Sequence, residues 1–296
     1  MNLDAVRTWT RTVVHEYTTR DSALYALAVG AVSDPLDPRQ LRLVDEADQV
    51  VVPTIAAVLA SPGFWARDDK SMGIDATRLI QGEQRIALDR PLPAQGRVAG
   101  ISRVCRVTDK GKGKGALITV CKTLQSEDGD VYGRAWQLFY CRGDGGFSAS
   151  GADDILLADG VPEPLQPAPA RAPDKRAAYQ VRDDAALLYR LCGDNNRLHI
   201  DPATARQAGF PRPVLHGLAT YGYAAVAVIR AFAQGDAAQL TSFDARFSAP
   251  VYPSDEIEFR MWDEGSHVAL EGYVAARDAV VISHARACFK PSGDRS

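Results

Sequence analysis

The densest cluster of reactive side chains in the 296-residue chain is Gly193-Asp194-Asn195-Asn196-Arg197-Leu198-His199-Ile200-Asp201-Pro202. A carboxylate and an imidazole this close, in a turn rich in Gly and Asn, can converge on one small volume while the backbone curls away. The pair suits general acid–base work on a water molecule, and Asn196 between them is placed to orient it. The same run also reads as an ordinary Asx turn, with Asp194 bonded to its own backbone and His199 a satisfied loop histidine. Asp201 precedes Pro202 and the short helical run PATARQA, which stops at Gly209, so it is expected to cap that helix and do no chemistry.

Downstream, FPRPVLHGLATYGYAAVAVI sets His216-Gly217 at the start of a long apolar helix that runs to about Phe232. The first amides of a helix lack intrahelical acceptors and carry the positive end of its dipole, so they can hold an oxyanion. Gly217, without a Cβ, lets a carbonyl oxygen come close, whereas the side chain of His216 reads as packed. A separate run, DKGKGKG, carries Lys110, Lys112 and Lys114 on a glycine-rich turn. These fit either phosphate contact or a solvated hairpin tip, and the GxxxxGK[ST] spacing of a P-loop is missing.

Positioning these groups requires a scaffold, and the sequence echoes itself faintly. SALYALAVG precedes the apolar stretch VVPTIAAVLA in residues 1–150, as AALLYRLCGD precedes the long helix in residues 176–296, which makes Tyr25 and Tyr189 equivalent. Residues 151–175, rich in Pro, Ala and charge, read as the linker. Strand-like runs follow each apolar stretch: GRVAGISRVCRVTDK, KGALITVCKTLQSE and GRAWQLFYCRG first, then LTSFDARFSAPVY, DEIEFRMW, HVALEGYVAAR and AVVISHARACFK. The pattern predicts an α+β tandem, each half a curved antiparallel sheet around a central helix. Ser61-Pro62-Gly63 should stop the first helix after about two turns and leave spare volume beside it.

Composition narrows the class. Lys+Arg 34 against Asp+Glu 37 gives a net charge of -3, so no nucleic-acid partner is expected. Five cysteines without CxxC spacing argue against a disulfide framework and a thiolate zinc site. The first twenty residues lack a signal-peptide core, and no charge-free apolar run reaches the length of about 18 residues that a membrane span needs. Asp294-Arg295-Ser296 is no peroxisomal ending, so a cytoplasmic location is expected.

The run YRLCGDNNRLHIDPATARQAGFPRPVLHGLATYG resembles the signature of the type 2 enoyl-CoA hydratases, the MaoC-like double hot-dog proteins, whose pattern is Y-R-L-S-G-D-x-N-P-L-H-x-D-P, then A-G-F and P-I-L-H-G-L. Similarity continues through RDSALYALAVGA, QGEQRIALDRPLPAQG, VTDKGKGKGA, GDGGF and ARFSAPVYPSD, nearly the whole chain. The resemblance implies a double hot-dog fold, one active site per chain, a homodimer, and interconversion of trans-2-enoyl-CoA with (3R)-hydroxyacyl-CoA. Asp194 and His199 match the family's catalytic pair, Asn196 its supporting Asn and Gly217 its oxyanion glycine. The first half offers no acid or His at the matching place, Ala31-Val32-Ser33, and should bind rather than react.

Four departures stand out: Arg197 for Pro, Cys192 for Ser, Gln81 for the His of HGEQ, and Ala249 for Lys. Arg197 is expected to place a cation near the catalytic carboxylate. On this reading the substrate is an acyl-CoA thioester, with no metal and no organic cofactor, since coenzyme A is part of the substrate. Lys110, Lys112 and Lys114 would meet its phosphates. The acyl chain would run beside the short first helix, past Pro53, Ile55, Val58, Leu59 and Phe64. Dehydration of a carrier-bound or specialised 3-hydroxyacyl thioester, thioester hydrolysis and non-catalytic acyl-CoA binding fit the same scaffold, and the joint presence of Asp194, Asn196, His199 and Gly217 favours catalysis.

Overall fold

The structure, a computed structural model, describes residues 1–149 and 153–291. The C-terminal Asp294-Arg295-Ser296 therefore lies outside the described residues. The first half contributes strands β1 (Thr10–Tyr17), β2 (Leu79–Leu88), β3 (Gly96–Asp109), β4 (Ala116–Ser126), β5 (Val131–Cys141) and β6 (Asp153–Leu156). The second contributes β7 (Lys175–Gln180), β8 (Leu240–Phe247), β9 (Glu256–Asp263), β10 (Val268–Val274) and β11 (Ala279–Phe289). All join one antiparallel sheet in the order β1-β3-β4-β5-β2-β8-β11-β10-β9-β7, with β6 beside the far end of β3. Read inward from either edge, the two halves repeat the same connectivity.

The halves meet where β2 pairs with β8 from Glu83↔Arg246 to Ala87↔Ser242. Two ion pairs cross that seam, Arg85–Asp244 at 2.9 Å and Arg246–Glu83 at 2.7 Å, each with a largely buried carboxylate. The expected linker is only partly one: Asp153–Leu156 pairs with β3, and the Glu163 carbonyl accepts from Arg85. Alternation failed to reveal this strand because it is short and mostly exposed.

In the second half the sheet wraps the helix Gly217–Phe232, buried continuously from Ala219 to Ile229. Its Gly and Ala residues permit close approach: a Cβ on Gly222 would lie 2.3 Å from a methyl of Val29, in the other half. The first half departs from the expected two-turn helix, having only a 3-10 segment, Pro53–Ala57. Ala60 turns into the left-handed region at φ 48°, and the buried Lys122 of β4 donates to the carbonyls of Ala57 and Leu59, ending the segment early. Tyr25 and Tyr189 do occupy matching places and face each other across the seam, ring centroids 6.2 Å apart.

Candidate active site

The loop holding the reactive cluster is built by its own short polar side chains. Asp194 Oδ1 accepts from the Asn196 amide at 3.0 Å, and Asn196 Oδ1 accepts from the Leu198 amide at 3.1 Å, capping the 3-10 turn Arg197–His199. Asp201 caps the helix Pro202–Gln207 through the Ala203 amide, as its position predicts. The Asx turn thus forms, and it presents the second carboxylate oxygen of Asp194 without a protein partner among the described residues. Asn196 keeps its amide NH₂ for a water, its oxygen being committed to the turn.

His199 is tied to the extended segment that leads into the long helix. Its Nδ1–H donates to the Val214 carbonyl at 2.9 Å, while the Leu215 amide donates to Val251 at 2.7 Å. That bond fixes the tautomer and leaves Nε2 with a lone pair. Burial pulls the imidazole below its ordinary pKa, against the opposing pull of the Val214 bond and of Asp194, so His199 is a neutral base at pH 7. Three residues further, the helix starts at Gly217, exposed, with the Gly217 and Leu218 amides free of intrahelical acceptors while Ala219 and Thr220 donate to the His216 carbonyl. A Cβ there would meet only the Phe247 ring, at 3.6 Å, so the glycine keeps an approach open and relieves no clash.

His216 also belongs to this site, which its sequence position did not reveal because the helix N-cap and the catalytic loop meet only in three dimensions. Its ring stacks on His199, centroids 3.7 Å apart and planes 28° from parallel, and its Nε2–H donates to the Asp194 carbonyl at 3.3 Å. Burial, and next the neighbouring His199, lower it to about 4. Donor atoms of Asp194, His199 and His216 all lie within 4.8 Å of one another. Each imidazole commits one nitrogen to a main-chain carbonyl, which leaves His199 Nε2 and His216 Nδ1.

Two expectations are corrected. Arg197 turns away from Asp194 and pairs with Asp201 at 3.0 Å, because the 3-10 turn points its long side chain along the following helix. The five residues foreseen for the acyl chain do not form one pocket. Pro53 lines a cleft of about 200 Å³ with Leu88, Leu92 and Leu240; Ile55 and Leu59 are sealed in the core, Val58 is half-buried, and Phe64 is exposed beneath Arg67. That cleft lies at the Leu240 end of β8, opposite the Phe247 end where Gly217 sits, and includes neither Asp194 nor His199.

The lysine tip is rigid. Asp109 accepts from the amides of Gly111, Gly146 and Ser148 at 2.7 to 2.8 Å, locking the β3–β4 turn to the GDGGF loop. Gly145 is required there, since a Cβ would lie 2.4 Å from the carbonyl oxygens of Gly111 and Gly115. Lys110, Lys112 and Lys114 stand exposed on this tip. Of the other departures, Cys192 has its thiol pushed up to about 12 by burial and is no nucleophile. Gln81 donates to Gln84, and Ala249 packs against the core.

Comparison with known proteins matches residues 15–143 to the MFE-2 hydratase 2 N-terminal domain and residues 164–283 to the MaoC like domain. The chain is 34% identical over 275 residues to enoyl-CoA hydratase ChsH3 of Mycobacterium tuberculosis, covering 92% of each. It is 38% identical over 256 residues to 3-hydroxyacyl-thioester dehydratase Y of the same organism, covering 86% of this chain and 84% of that one. Among solved structures, a MaoC-like dehydratase from Phytophthora capsici superposes with a TM-score of 0.82 at 28% identity, over 98% of this chain and 99% of the other.

Proposed function

Because the chain belongs to the family of MaoC-like dehydratases and type 2 enoyl-CoA hydratases, and is a lyase of that family, we propose that it reversibly hydrates trans-2-enoyl-CoA to (3R)-hydroxyacyl-CoA. One observation carries the reading: a single short loop brings Asp194 and the neutral Nε2 of His199 together, and the Val214 bond tethers that loop beside the Gly217 helix start. A water seated between the Asp194 carboxyl, which enters the cycle as the acid, the His199 imidazole and the Asn196 amide gives a proton to His199 Nε2 as its oxygen bonds to C3. The π electrons move to the thioester oxygen, which accepts from the Gly217 N–H, and C2 takes its proton from the Asp194 carboxyl. His199 then returns its proton to Asp194, which restores both groups for the next turnover. The reverse sequence is the dehydration, so the names of both mycobacterial relatives fit one set of atoms.

The lysine tip is assigned to the CoA phosphates. Asp194→Asn and His199→Gln should each slow the loss of conjugated enoyl-thioester absorbance by at least about 10²-fold, with far-UV circular dichroism unchanged. Near-normal turnover in either folded variant overturns the assignment.

A further inference from the structure

Behind the catalytic imidazole stands a row of rings that the proposed reaction leaves without a task. Tyr25, Tyr189 and His216 are buried, and their centroids follow one another at 6.2 Å and 4.9 Å before the 3.7 Å step to His199. His216 is the member with two separate holds on the site. Its ring face covers His199, and its Nε2–H reaches the main-chain carbonyl of Asp194, the other end of the loop. Its Nδ1 is buried and makes no hydrogen bond among the described residues. A buried imidazole with an unused acceptor is a cost that packing alone does not explain, since an apolar ring would fill the space without it.

We propose that His216 is a positioning residue for the hydration: its ring holds the plane of His199 and keeps solvent off it, while its N–H fixes the Asp194 end of the loop, so that one side chain sets the spacing of the acid–base pair. This rests on the reading of Asp194 and His199 as that pair. The two holds act on different quantities. The ring sets how strongly His199 is desolvated, and therefore where its base form is lost on acidification. The N–H holds the Asp194 main chain and leaves the burial of His199, the largest cause of its lowered pKa, unchanged. The groups facing His199 are Asp194 and His216; those facing His216 are His199, Asp194, Arg190 and Tyr189.

Two substitutions separate the holds. His216→Phe keeps the ring and removes the donor, whereas His216→Gln keeps a donor near the Nε2 position and removes the ring. With crotonyl-CoA, His216→Phe should lose about tenfold in kcat with KM within about threefold and with the acid limb of kcat/KM unmoved. His216→Gln should shift that limb to higher pH, because water entering beside His199 returns its pKa toward the ordinary value. A 15N NMR titration of the histidines without substrate should show the same upward shift for His199 in the Gln variant alone. A role in packing only predicts lowered melting temperatures with kcat per folded molecule within twofold and no movement of the limb, and that result overturns the proposal. Should the parent protein hydrate no enoyl-CoA, the functional reading fails, while the NMR titration still decides the positioning of His199.

Discussion

Arg197 stands between Asp194 and His199 in the sequence and yet contributes little to them, because its guanidinium is 72% exposed and turned toward Asp201. Exposed i,i+4 pairs are worth only a few tenths of a kcal/mol. Arg197→Ala is therefore expected to leave kcat/KM for crotonyl-CoA within about twofold and denaturant stability within about 0.5 kcal/mol. A tenfold loss in steady-state kinetics would place the cation back beside Asp194. At this scale the sequence was legible where function needs a fixed local spacing: Asp194, Asn196 and His199 are set by one turn whose hydrogen bonds all lie within five residues. His216 is packed as its position implies, but its bond to Asp194 crosses a 22-residue separation, which no local pattern encodes.

The long helix joins two unlike tasks at its two ends. At its start the Gly217 and Leu218 amides are unpaired; near its other end Arg230 donates to the carbonyls of Gly30 and Ala31 and to Ser33 and Gln40. That first-half turn is the counterpart of the catalytic loop, and a structural cation favoured by the helix C-terminus occupies it. Gly217→Ala should keep the fold, since the new methyl meets only the Phe247 ring at ordinary distance, yet lower kcat at least tenfold by crowding the thioester oxygen. An unchanged kcat would remove Gly217 from the oxyanion role. The 3-10 segment that replaces the first helix carries its own titratable latch, Lys122, lowered by burial from 10.5 to about 7. Between those values the unfolded chain holds a proton that the folded chain does not, so this residue makes stability rise with pH. The stability difference between the parent and Lys122→Met should climb with pH through that window, by at most about 1.4 kcal/mol per pH unit, in urea titrations. A flat difference would mean the amine is solvated. The long strands and the second helix were legible from periodicity, but this segment was not: VVPTIAAVLA reads as helix until a lysine from another strand binds its carbonyls.

At the scale of the whole molecule, register decides which distant groups share an end of the sheet. Gly217 lies against Phe247 at the end of β8, which β2 continues from Arg246↔Glu83, and the first residue of β2 pairs with Cys141, itself opposite Ala116 at the base of the lysine tip. Three strand spacings of about 4.8 Å, roughly 14 Å, separate β8 from β4 across the sheet, and the four residues from Glu83 to Leu79 add roughly 13 Å along it, so a thioester at Gly217 would need an extended arm to set its nucleotide phosphates near Lys110, Lys112 and Lys114. With a net charge of -3 the molecule as a whole repels such a polyanion weakly, so on the proposed assignment this patch would supply attraction locally. Replacing all three lysines with alanine should raise KM for crotonyl-CoA about fivefold or more and leave kcat near the parent value, because the tip is remote from the reacting atoms. The parent's KM should rise with added salt and the variant's should not, since screening acts on exposed charges over about 10 Å at 0.1 M. Crotonyl-N-acetylcysteamine, which keeps the thioester and lacks the phosphates, should be turned over equally by both proteins. If the triple variant instead loses kcat on both thioesters, the tip braces the fold through Asp109 and the GDGGF loop, and the phosphates are bound elsewhere.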